Sequence, residues 1–124
     1  AFVVKNPHND EDLLIELGGE FSLFFGLWHG QYKPEEQDYD RMKQDIAALL
    51  AGRAGVLSLY AEDHWLGSAL CPEKVSADAD AEKLLERCWQ KQEPKEKLLA
   101  QGGRVELLYW DPAENKSFAI PAKA

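Results

Sequence analysis

The sequence predicts an α+β domain, with a mostly antiparallel sheet of about six strands in the order ββ-α-ββ-α-ββ and two main helices packed on it. Three observations carry this. Paired apolar runs flank short connections of turn-forming residues at three places along the chain. Two stretches between those pairs repeat their apolar residues at helical spacing. Hairpins, unlike single strands, leave neighbouring strands antiparallel, so the helices pack on the sheet instead of serving as βαβ crossovers.

The first pair is Asp12–Leu17 and Glu20–Trp28 around Gly18-Gly19, two residues free to take the positive φ of a tight turn. Phe21, Leu23, Phe25 and Leu27 on one side and Phe24 and Trp28 on the other make the second run a central strand. After a polar loop with Pro34, the residues Tyr39, Met42, Ile46, Leu49 and Leu50 mark a helix that Gly52 stops. Val56–Ala61 and Trp65–Cys71 form the second hairpin around Glu62-Asp63-His64, and Pro72 ends it. Ala81, Leu84, Leu85, Cys88 and Trp89 are the apolar stripe of a helix expected from Asp78 or Asp80 to Gln92. Acids at its start suit the helix dipole. Pro94 is expected to break it, with a short helical piece over Lys95–Gln101. Arg104–Trp110 and Lys116–Ile120 make the last hairpin.

The 124 residues fit one domain, 1–124. Five Phe and four Trp supply core volume, and no apolar run approaches the roughly 20 residues of a membrane-spanning helix. Fourteen basic against 22 acidic residues give a net charge of −8, which repels phosphate backbones and anionic membranes. A basic protein surface is the partner such a field favours. No basic leader precedes an apolar stretch, and two cysteines make no disulfide framework. Cys71 and Cys88 are therefore expected to be buried thiols, and the compartment the cytoplasm.

No complete catalytic motif is present. Gly-x-Ser-x-Gly, a phosphate-binding glycine loop and the short paired spacings of zinc sites are all missing, so no cofactor and no metal are expected. One enzymatic alternative rests on His29 and His64, each beside a tryptophan at a strand end, which could act as acid and base if they converged. Another reading is an adaptor that self-associates through a sheet edge. The acidic loops beside exposed aromatics point instead to protein binding. The expected contacts are His29, Tyr32, Glu35, Glu36 and Asp38 in one loop, and Glu62, Asp63 and Trp65 in the second hairpin's turn.

The stretch Glu20-Phe21-Ser22-Leu23-Phe24-Phe25-Gly26-Leu27-Trp28-His29-Gly30-Gln31-Tyr32, an acidic helix, then Val56-Leu57-Ser58-Leu59-Tyr60 and Trp65-Leu66-Gly67-Ser68 resembles small bacterial proteins found among polymorphic-toxin immunity proteins. The likeness covers about residues 20–70. It implies a cytoplasmic antidote that occludes the active site of a cognate toxin.

Overall fold

A computed structural model gives the structure over residues 2–89 and 92–122, with the backbone alone at 92–94. The first sheet is a meander of β1 (Phe2–Val4), β2 (Leu13–Leu17), β3 (Phe21–Phe25) and β4 (Trp28–Tyr32). Helix α1 (Glu36–Leu50) leads to the second sheet, made of β5 (Gly55–Ala61), β6 (His64–Cys71), β7 (Gly103–Leu108) and β8 (Lys116–Ile120) in the order β6-β5-β7-β8. Between β6 and β7 lie α2 (Ala81–Cys88) and α3 (Gln92–Gln101). Every strand pair is antiparallel. Among the described residues no helix is long and apolar enough to cross a membrane.

The α+β class and the antiparallel pairing agree with the sequence. The single sheet of about six strands does not: among the described residues there are two sheets of four strands each, and three α-helices. One of the added strands comes from Gly26. The run Glu20–Trp28 is a hairpin in itself, closed at Phe25↔Trp28, with Gly26 at φ 59 in the first central position. That position takes a glycine in the turns whose twist suits a hairpin. The Leu108 side chain fills the space a Gly26 Cβ would need. Phe2–Val4 then adds an edge strand, in register Phe2↔Ile15.

Helix boundaries follow local chemistry. The Gly52 N–H reaches Leu49 O (3.1 Å) and the Arg53 N–H reaches Ala48 O (2.9 Å), with Gly52 at φ 75. This pair of bonds satisfies the last carbonyls of α1 and needs a left-handed residue. Asp80 caps α2 by accepting from the Glu82 and Lys83 N–H groups at 3.0 and 3.2 Å. The sequence carries α2 on to Gln92. It stops at Cys88 instead, because Trp89 is extended (φ −123, ψ 115); Gln90 and Lys91 lie outside the described residues. Pro94, expected to break a helix, falls in the first turn of α3, where its missing N–H has no intrahelical partner to lose.

Two apolar cores form on either side of the second sheet. Leu57, Leu59, Val105 and Leu107 bury one face against Leu84, Leu85 and Leu98 of α2 and α3. On the other face, Val56 joins Leu13, Leu23, Phe25, Met42 and Leu49 in a core shared by the first sheet and α1. Tyr109 closes the first core with a polar clamp: its buried hydroxyl donates to Glu73 O and accepts from the Val75 N–H, both at 2.9 Å. Tyr109→Phe would leave a buried N–H unpaired, so a loss of about 1–3 kcal/mol in unfolding free energy is expected in urea denaturation. A loss below about 0.3 kcal/mol would mean that water replaces the hydroxyl.

Candidate functional site

The first sheet covers only part of the second. Register places Leu70, Val56 and Leu108 in one cross-strand row, packed beneath the first sheet. The next row on that face is polar: Ser68, Ser58, Glu106 and Ser117. Beyond it come Trp65, Tyr60, Arg104 and Ala119. The β3–β4 turn overhangs these rows and leaves a cavity of about 510 Å³, bounded by Leu27, Ser58, Tyr60, Glu106 and Glu11. Glu11 is brought there by the buried Asn6, whose side-chain amide donates to Glu11 O (3.1 Å) and Trp110 O (2.8 Å).

Polar groups on this floor are mutually satisfied. Ser58 and Ser68 hydroxyls lie 2.6 Å apart, and the Trp65 indole N–H donates to Ser68 Oγ at 2.9 Å. Arg104 stacks on Tyr60 at 4.3 Å, pairs with Glu106 at 2.7 Å, and donates to Glu62 O. Burial, and then the Glu106 charge, pushes the Tyr60 hydroxyl above its usual range. The hydrogen bonds of the two serine hydroxyls among the described residues go to each other and to the Trp65 indole.

On the far side of Leu27 a second cavity, about 450 Å³, opens between the edge strands β4 and β6. Tryptophans 28, 65 and 89 line it with His29. Glycines let two of the rings lie flat on backbone. The Trp28 ring comes within 2.6 Å of where a Gly30 Cβ would stand, and the Trp89 ring within 3.0 Å of the same point on Gly67. The Trp89 indole N–H is buried and has no hydrogen-bond partner among the described residues. Leu27 (54% exposed) borders both cavities, and Trp65 (50% exposed) borders the second.

The structure divides the residues expected to form one surface. His29 and Trp65 line the tryptophan cavity, and Glu62 and Asp63 form the turn that precedes Trp65. Glu35 and Glu36 lie at the other end of β4, around a shallow apolar depression with Leu17, Phe21 and Tyr39. Asp38 is engaged locally, accepting from the Lys33 N–H at 2.8 Å. Tyr32 is 1% exposed, because its ring faces the core and its hydroxyl donates to Asp45 at 2.7 Å. A strand residue at an odd offset from Trp28 points out, and at an even offset in; Tyr32 is at an even offset. His29 and His64 do not converge either. His29 stacks on Phe24 (5.7 Å) on the outer face of the first sheet, whereas His64 borders a depression with Lys97 and Gln101 of α3.

Leu27, Ser58, Ser68 and Glu106 were missed as candidate site residues. Ser58 alternates with Leu57 and Leu59, and that polar position on an otherwise apolar strand was the signal available. One cluster also escaped any reading from spacing: Cys71, Glu73 and Cys88 bring their ligand-type atoms within 4.8 Å of one another. Compared with known proteins, the chain matches no family model, no curated protein and no solved structure.

Proposed function

We propose that this chain is a small acidic protein-binding domain of the immunity type, which neutralises a toxin-like protein by covering a basic active site. The contact surface is the rim around Leu27 and Trp65 together with the Glu62-Asp63 turn. The observation that carries this reading is Trp65: half of it faces solvent, yet its indole is fixed by the bond to Ser68. An exposed aromatic already held in one orientation loses little freedom on binding, which is what makes a strong anchor. Leu27 in the same cavity adds exposed apolar area, Glu11 and Glu106 border the first cavity, and Glu62 and Asp63 stand in the turn before Trp65. The overall charge of −8 adds long-range attraction for a basic cleft.

The test is affinity capture with the tagged domain against the product of any toxin-like gene found beside its own, followed by association kinetics. Changing Glu62 and Asp63 to Lys should slow association roughly tenfold at low salt and flatten its salt dependence, with little change in dissociation. That variant also removes the Asp63–Arg104 ion pair, which at 3.6 Å on the surface carries little weight for stability. An unchanged association rate, with charge reversal at Glu35 and Glu36 slowing it instead, would move the interface to the other end of β4.

A further inference from the structure

We propose that Cys71 and Cys88 form a site of reversible covalent modification, a buried dithiol that a low-molecular-weight disulfide such as oxidised glutathione converts to an intramolecular disulfide. The two Sγ atoms are 3.3 Å apart, one at the end of β6 and the other at the end of α2. Sulfurs already in contact, on elements whose ends are packed together, need only a small closing movement to bond.

The same cluster includes Glu73, but its geometry favours sulfur–sulfur chemistry over a metal ion. Two thiolates bound to a tetrahedral zinc at about 2.3 Å stand about 3.8 Å apart, further than this pair. The Glu73 carboxylate also has both oxygens turned to Arg87, at 2.6 and 3.4 Å.

Access orders the reaction. Cys71 is fully buried, and Cys88 is 9% exposed. Cys88 loses its proton to solvent, and its thiolate attacks one sulfur of the oxidised glutathione, breaking that disulfide and releasing one glutathione thiolate. Cys71 then loses its proton and attacks Cys88 Sγ, forming the Cys71–Cys88 bond and expelling the second glutathione thiolate. Two protein thiols are oxidised, and one small disulfide is reduced to two thiols. The groups facing the pair are Glu73, Arg87 and Tyr109. Burial pushes the Cys71 thiol up to about 12, and burial also raises that of Cys88, so little thiolate exists at neutral pH and the exchange is slow there. The cross-link would lock the end of α2 against β6 one residue before Trp89, which lines the tryptophan cavity.

Purified, fully reduced protein is incubated with oxidised glutathione, denatured and alkylated without reduction, and weighed intact. The expected result is a monomer that has lost two hydrogens and takes up no alkyl group, with a Cys71–Cys88 peptide cross-link on digestion. Its thermal midpoint should rise by roughly 5–10 °C, because the bond closes a loop of about 16 residues. The rate should increase about tenfold per pH unit between about pH 7 and 9, as the thiolate fraction does. Cys71→Ser should halt at a glutathione adduct on Cys88; should that variant not fold, the wild-type cross-link alone decides. Two alkylated thiols at equilibrium, or a stable wild-type glutathione adduct, or a covalent dimer as the end product, would overturn the proposal. So would protein isolated with one chelator-removable zinc per chain that blocks oxidation.

Discussion

Replacing Trp65 by alanine is expected to weaken partner binding by about 2 kcal/mol or more, roughly thirtyfold, and to leave the fold intact. The ring is half exposed, so truncation opens no cavity in either core. The variant gives up binding area whose orientation the Ser68 bond had already fixed. Ser68→Ala provides a graded control: it keeps the ring but frees it, and should weaken binding less than truncation does. Tyr32→Phe should have no effect on affinity, since that ring is inside the first sheet's core. Equilibrium titration with the captured partner, with circular dichroism to check folding, measures all three. Wild-type affinity for the Trp65 variant would remove the proposed anchor.

Gly103→Ala is expected to cost about 2–4 kcal/mol in unfolding free energy, lowering the thermal midpoint by on the order of 10 °C. A Cβ at Gly103 would run into the backbone carbonyl of Tyr60, on the strand paired with β7, and would also come within 2.5 Å of Leu98 Cδ1. Backbone in the middle of a sheet cannot step aside as a side chain can, so the alanine must push β7 away from β5. Gly19→Ala is the matched control, because nothing lies within 4 Å of its Cβ position. Calorimetry on both variants would show whether close approach, and not loss of glycine as such, sets the cost. Equal midpoints would refute this account of Gly103.

These residues also show how far the sequence could be read. Hairpins and helices were legible wherever local chemistry decides: Leu57 and Leu59 alternate with Ser58 and Tyr60, and Met42, Ile46 and Leu49 recur at helical spacing. Gly26 shows where this fails. A glycine inside an apolar run reads equally well as part of a strand or as a turn, and only the pairing of Phe25 with Trp28 decides between them. The choice adds one strand, β4, to the first sheet. The acidic aromatic loops looked like one surface because sequence gives no distance between the ends of a strand. β4 is five residues long, enough to carry His29 and Glu35 to opposite ends of the sheet. The contact between Cys71 and Cys88 joins the end of β6 to the end of α2, a tertiary placement that no spacing rule encodes.

β5 contributes to both cores: Leu57 and Leu59 face the helices α2 and α3, while Val56, one position before Leu57, faces the first sheet. Neither half of the molecule can come apart without baring one side of this strand to water. The strand thereby couples the two layers, and an opening that spares β5 starts at the strands paired on one side only, β1, β4, β6 and β8. A substitution that loosens β5 is therefore expected to weaken both cores at once.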